Sequence, residues 1–152
     1  MVPAIGGVRD GRSSEFRGAS SDGPLSAMSI PVPALRILLV EDEAVVAVLF
    51  ADLLAAMGHE VCAIEATEAG AVAAAVRYRP DLMIVDVHLM DGSGVSAVAA
   101  ILRAGFVAHV FVSGDPLRAQ PLALGSVVLQ KPFRESDLVR AIGSALAAKA
   151  GA

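Results

Sequence analysis

From Arg36 onward, short continuous apolar runs alternate with longer, Ala-rich segments in which apolar side chains recur every three or four residues. Arg36-Ile37-Leu38-Leu39-Val40 is such a run, and a strand covered on both faces of a parallel sheet has this unbroken apolar character. A helix is expected from about Ala44 to Met57, with Asp42 or Glu43 near its start and Gly58 just past its end. Val46, Leu49, Leu53 and Met57 fall at helical spacings, which predicts that they share its buried face. Val61 to Ile64 reads as a second strand. Thr67 is placed to cap a helix that runs to about Tyr78 and stops before Pro80. Leu82-Met83-Ile84-Val85 is a third strand, followed by the loop Asp91-Gly92-Ser93-Gly94. Val95 to Ala104 is a helix ended by Gly105, Val107 to Val112 a fourth strand and Ser126 to Leu129 a fifth. A last helix spans Ser136 to Lys149, with Leu138, Ile142 and Leu146 in one stripe. Strands alternating with helices imply an α/β fold, a parallel sheet with helices on both faces.

Two stretches depart from the alternation. Between the fourth and fifth strands, Gly114 to Gly125 contains Pro116 and Pro121, so the fourth helix is expected to be short or irregular. Residues 1–34 carry Gly6-Gly7, Gly11, Gly18, Gly23-Pro24, Pro31 and Pro33 without any helical or strand period. They read as a disordered tail ahead of one folded domain at 35–152.

Composition adds bounds. A chain of 152 residues, 55% hydrophobic and 18% charged, holds one domain. At that size a core forms without disulfides or metal staples. The lone Cys62 makes no internal bridge and reads as core packing. The net charge is −4, and Arg9, Arg12 and Arg17 balance Asp10, Glu15 and Asp22 in the tail, so the excess belongs to the folded part. That balance argues against direct nucleic-acid binding. The apolar run of Ala44 to Ala51 is cut by Asp52, far short of the roughly 20 residues of a membrane span. The first residues are polar and Gly-rich where a signal peptide needs an apolar stretch. A cytoplasmic protein with no membrane partner is expected.

In an open parallel sheet, ligands gather outside the carboxyl ends of the strands. After the first strand come Glu41, Asp42 and Glu43, and after the third comes Asp86. The fourth ends at Ser113-Gly114 and the fifth is followed by Lys131-Pro132-Phe133. Three carboxylates about 4 to 5 Å apart would repel by roughly 3 to 4 kcal/mol per pair at an effective dielectric near 20. An acid at a helix N-terminus gains about 0.3 to 1 kcal/mol from the dipole, which accounts for one carboxylate but not for three strand ends together. A hard divalent cation offsets the repulsion, and Mg²⁺ takes a few carboxylate oxygens while keeping positions for water or phosphate oxygen. Lys131 and Ser113 supply the positive charge and donor that a transferring phosphoryl group needs. Asp86 is the natural nucleophile, since a carboxylate accepts a phosphoryl group to give an acyl phosphate. His59 and His109 fall at strand beginnings, the opposite end, and are expected to be solvated. His88 lies at the rim of the site, as does Asp115, two residues past Ser113; both are expected to tune water access and the lifetime of the phosphoryl group.

Ile37-Leu38-Leu39-Val40-Glu41-Asp42-Glu43, Asp81-Leu82-Met83-Ile84-Val85-Asp86-Val87-His88-Leu89, Phe111-Val112-Ser113-Gly114 and Gln130-Lys131-Pro132-Phe133 together resemble the response-regulator receiver domain of two-component signalling. The resemblance covers about Arg36 to Lys149. It implies a flavodoxin-like, doubly wound five-stranded parallel sheet of order 2-1-3-4-5, and a Mg²⁺-dependent switch. By position it makes Asp86 the phosphoacceptor, supplied by a sensor histidine kinase or a histidine phosphotransfer protein. Glu41, Asp42, Asp86 and the main-chain carbonyl of His88 become the metal ligands, Ser113 and Lys131 the readers of the phosphoryl group, and Pro132 a cis proline.

The sequence also departs from that family. Val128 stands at the switch position where an aromatic ring is usual, Met90 where a proline is frequent, and the segment between Ser113 and Lys131 is about one helical turn short. Val128 keeps open a degenerate receiver that only binds a partner. A flavin binder of the same topology wants a Gly/Ser/Thr-rich phosphate loop after the first strand, where this chain has Glu-Asp-Glu. A haloacid-dehalogenase-type phosphatase needs an acid two residues past its nucleophile, where this chain has His88. The expectation is a stand-alone receiver, not a metabolic enzyme, since only three residues follow Lys149. Its output then passes through an unknown downstream protein or a phosphorelay, and a homodimer through the last helix is compatible with it.

Overall fold

Successive side chains on a strand point to opposite faces, so an apolar run of five needs cover on both sides. The computed structural model describes residues 33–115 and 122–151. In β1 (Arg36–Val40), Ile37 and Leu39 turn to one face and Leu38 and Val40 to the other, each at most 1% exposed. The remaining elements are α1 (Ala44–Ala56), β2 (Glu60–Glu65), α2 (Glu68–Tyr78), β3 (Leu82–Asp86), α3 (Gly94–Leu102), β4 (Ala108–Ser113), β5 (Val127–Gln130) and α4 (Glu135–Ala150). All strand pairs are parallel and the order is β2-β1-β3-β4-β5, as expected. The winding reverses between β1 and β3, which opens a crevice at the carboxyl ends of those two strands.

Each face has its own core. Ala47, Phe50 and Leu54 of α1 and Leu138, Ala141, Ile142 and Ala145 of α4 cover Ile37, Leu39, Ile84 and Val110. On the other face Ala71 and Ala74 of α2 and Ala97, Val98 and Ile101 of α3 cover Leu38, Val40, Met83 and Phe111. The starts of α2 and α3 are set by side chains: Thr67 accepts the Gly70 N–H at 3.0 Å, and the Ser93 hydroxyl accepts the Val95 N–H at 3.1 Å. No helix among the described residues is long and apolar enough to cross a membrane. Residues 116–121, the middle of the segment on which a short or irregular helix is expected, lie outside the described residues. Of the expected tail at 1–34, only residues 33 and 34 are described.

Two expectations are corrected. The fully buried stripe of α1 is Ala47-Phe50-Leu54, one residue on from the Val46-Leu49-Leu53-Met57 stripe, of which Leu53 and Met57 pack partly buried against the core while Leu49 is 64% exposed. The helix is apolar nearly all round, with Asp52 its only charge, so periodicity carries no direction, and Phe50 seats against Phe133 with ring centroids 5.5 Å apart. His59 and His109 are buried, not solvated. β4 is buried along its whole length, so a histidine in it must satisfy both ring nitrogens internally. His109 Nδ1–H donates to the Val107 carbonyl at 2.8 Å and Nε2 accepts from the Ser126 hydroxyl at 2.7 Å, between the rings of Phe106 and Phe111. Nδ1 of His59 accepts the Leu35 N–H at 3.2 Å. Burial holds both imidazoles below their ordinary pKa and hence neutral. His109→Ala opens a cavity and orphans the Ser126 hydroxyl, and is expected to cost about 2 to 4 kcal/mol in urea unfolding. An unchanged midpoint would mean that the pocket closes over without His109.

Candidate functional site

The strand ends deliver the polar groups. The Glu41 N–H donates to the Glu65 carbonyl at 2.9 Å, which prolongs the β1–β2 pairing and draws the Glu41 side chain inside, so that the residue is 5% exposed. Its Oε1 accepts the Glu43 N–H at 3.1 Å. Asp42 Oδ2 accepts the Met90 N–H at 2.8 Å, tying the loop after β3 to the loop after β1. Asp86, the last residue of β3, accepts the His88 N–H on Oδ1 at 2.9 Å and faces Lys131 Nζ with Oδ2 at 3.3 Å. Lys131 follows β5, its N–H bonded to the Ser113 carbonyl at 2.8 Å, and the Lys131–Pro132 peptide is cis as expected.

One carboxylate oxygen each from Glu41, Asp42 and Asp86 lies within 4.8 Å of the others, and Lys131 Nζ is 3.8 Å from Glu41 Oε2. Three carboxylates against one ammonium leave a net negative charge. The cost falls on the most buried of them: the Glu41 carboxyl is pushed up to about 7, first by burial and then by its hydrogen bond and like charge with Asp86. The Glu43 N–H and the Lys131 ammonium act in the opposite direction. Without a cation, a proton on Glu41 relieves the repulsion. A set of hard oxygen donors of this net charge suits a divalent cation that keeps part of its water shell.

The structure thus brings Glu41, Asp42, Asp86 and Lys131 together. His88, Met90 and Asp115 line the open depression above them. The Ser113 hydroxyl is buried and engaged with its own loop, donating to the Asp115 carbonyl at 2.5 Å and accepting the Asp115 N–H at 3.2 Å. Val128 lies on β5 opposite Phe111, 43% exposed. Two residues of the site's frame escape sequence reasoning. Gly94 comes so close to the Asp86 carbonyl that a Cβ there would overlap it, and its N–H donates to the Val87 carbonyl at 3.0 Å. Glu68, at the start of α2, accepts the Ser93 N–H at 3.0 Å. The only sequence signal of Gly94 is its place in a Gly-rich loop; Glu68 carries none beyond its place after a capping threonine.

Comparison with known proteins agrees with this geometry. The family model of the response regulator receiver domain matches residues 37–143. The chain is 33% identical over 109 residues to protein-glutamate methylesterase/protein-glutamine glutaminase 2 of Anaeromyxobacter dehalogenans, covering 68% of this chain and 32% of that protein. It is 32% identical over 121 residues to the phyllosphere-induced regulator PhyR of Methylorubrum extorquens, covering 74% and 44%. The chain therefore spans less than half the length of either curated relative. Among solved structures, the receiver domain of the Erythrobacter litoralis PhyR response regulator superposes with a TM-score of 0.66 at 30% identity, over 74% of this chain and 90% of that one. With its sheet order, its acid cluster at the strand ends and a family match over most of the folded chain, the protein belongs to the response regulator receiver domain family of two-component signalling.

Proposed function

We propose that the chain accepts a phosphoryl group on Asp86 from a phosphohistidine donor in a Mg²⁺-dependent reaction, and signals through a partner protein or a phosphorelay. One observation carries this reading: three carboxylates from two strand ends cluster at the mouth of the sheet, and two of them, Glu41 and Asp86, face the Lys131 ammonium. Glu41, Asp42, Asp86 and the His88 main-chain carbonyl are the residues that would hold the cation. When bound, Mg²⁺ neutralises charge on the phosphoryl oxygens. Asp86 attacks phosphorus, a P–O bond forms as the P–N bond to the donor imidazole breaks, and the departing nitrogen takes a proton from solvent. Lys131, already 3.3 Å from Asp86, stabilises the charge that gathers on the transferred group. Ser113 donates to a phosphoryl oxygen only by leaving the Asp115 carbonyl, and this exchange biases the connection between β4 and β5. A protein donor finds a surface beside the site, where Val45, Val48 and Leu49 of α1 are exposed next to the groove of Val46, Leu53, Pro132 and Phe133.

Incubation with acetyl phosphate, or with a phosphorylated histidine-kinase domain, and Mg²⁺ is expected to add one phosphoryl group to the wild type and none to Asp86→Asn, read by intact mass. If neither donor adds a phosphoryl group, the reading fails. His88 and Asp115, both exposed at the rim, tune water access to the acyl phosphate. His88→Ala is expected to change the dephosphorylation rate severalfold, and an unchanged rate removes that role.

The raised Glu41 pKa links stability to metal. Its carboxyl titrates near 7 in the metal-free fold against an ordinary 4.5, so the fold holds the extra proton between those values. The stability this gives is full below about pH 4.5 and is lost as pH rises through 7, about 3 kcal/mol in all. In metal-free protein, Glu41→Gln should therefore gain on the wild type by up to about 3 kcal/mol between pH 4.5 and 8. The buried histidines cancel in that difference. Mg²⁺ should then stabilise the wild type and not the variant at pH 8; a wild-type-to-variant difference that is flat with pH would show that Glu41 does not hold the proton.

A further inference from the structure

The loop between β3 and α3 is held by carboxylates from two sides. Asp42 holds it at the Met90 N–H, 2.8 Å away, with a side chain that also belongs to the acid cluster. Glu68 holds it further along, and lies outside the cluster. Its Oε2 accepts the Ser93 N–H at 3.0 Å, and its own N–H donates to the Asp91 carbonyl at 3.2 Å. Thr67 pairs with Asp91 in an isolated parallel bridge. Between them Gly92 sits at φ +91°, and a Cβ there would come within 2.5 Å of Glu68 Cβ and Oε2. Only glycine allows the loop and the first turn of α2 to meet this closely.

Ser93 passes the contact on. Its hydroxyl caps α3 through the Val95 and Ser96 N–H groups, and its backbone pairs with His88 in an antiparallel bridge. Glu68, Ser93 and His88 thus form one connected path, from the start of α2 to the backbone two residues past Asp86.

We infer that Glu68 is a positioning residue for the cation site: by holding Ser93 it sets where the His88 main-chain carbonyl stands, and so sets the affinity of the cluster for Mg²⁺. The inference rests on the proposed reading of the cluster. The physical reason is competition for Asp42. A cation held by the cluster would draw on the Asp42 carboxylate and weaken its hold on Met90, whereas the Glu68 hold uses no atom of the cluster. A carboxylate accepting a backbone N–H is a strong, directional bond, suited to fixing a loop. An acid serving only the dipole of α2 has no need to accept an N–H from α3's cap, 25 residues away.

The test titrates the full chain with Mg²⁺ alone, by calorimetry and by amide NMR, with no phosphodonor. Glu68→Ala is expected to bind about tenfold more weakly, the low end of what outer-sphere partners contribute, and Glu68→Gln within about twofold of wild type, since its amide oxygen still accepts the Ser93 N–H. The Ser93 amide proton should shift in Glu68→Ala and stay in Glu68→Gln. Gly92→Ala keeps the Glu68 charge and forces the two backbones apart, and should reproduce the loss, which covers the case of a Glu68→Ala protein that does not fold. Wild-type affinity in folded Glu68→Ala overturns the inference. So does an equal loss in Glu68→Gln, because charge and not the hydrogen bond would then be responsible. A wild type that binds no Mg²⁺ overturns the reading of the cluster itself, whereas failure confined to the variants leaves that reading standing.

Discussion

Like charge packed at the mouth of a parallel sheet is the constraint on which the rest of this molecule depends. Glu41, Asp42 and Asp86 bring oxygens within 4.8 Å of each other, and Glu41 does so from a buried position. Their repulsion is met by three devices at once. Lys131 brings a positive charge, backbone N–H groups of Glu43, His88 and Met90 each occupy a carboxylate oxygen, and the Glu41 carboxyl, pushed up to about 7, takes a proton more readily than an ordinary one. Each device is reversible. On the proposed function, a site whose charge is held in check by a proton and by hydrogen bonds is one that a cation, and then a phosphoryl group, would rearrange at modest cost.

The two faces of the sheet contribute differently to that site. α1 and α4 pack with Phe50, Leu54, Leu138 and Ile142 against the sheet, and the aromatic contact of Phe50 with Phe133 fixes the segment just after Lys131. α2 meets the sheet through alanines, Ala71 and Ala74, and α3 through Ala97, Val98 and Ile101. Small side chains let a helix approach closely, so the start of α2 comes within hydrogen-bonding reach of the loop after β3. One face anchors the lysine, and the other shapes the loop that carries the His88 carbonyl.

The strands and the cluster were legible in the sequence because both are written in adjacent residues: an apolar run, then an acid or a lysine at its carboxyl end. The boundaries fall within a residue or two for the same reason. What was not legible depends on contacts between distant segments. The buried side of α1 cannot be read from a helix that is apolar nearly all round. His109 looked like a strand-end residue open to water, yet Ser126, Phe106 and Phe111 close over it. Glu68 stands in the first turn of α2 with nothing in the sequence to mark it, and only the positive φ of Gly92 and the reach to Ser93 make it part of the site's frame.

Val128 sharpens the question of how a signal leaves the site. A valine on β5 has no ring to swing between a buried and an exposed position. The connection between β4 and β5 is tied at both ends. The Ser113 hydroxyl holds the Asp115 backbone in both directions, and His109 holds Ser126. The first tie lies at the mouth of the sheet, where on the proposed function a phosphoryl oxygen competes for the same hydroxyl. The second is buried with a neutral imidazole whose two nitrogens are both satisfied, and nothing in the acid cluster bears on it. On the proposed function, phosphorylation therefore frees the site-side end of the connection while its far end stays pinned.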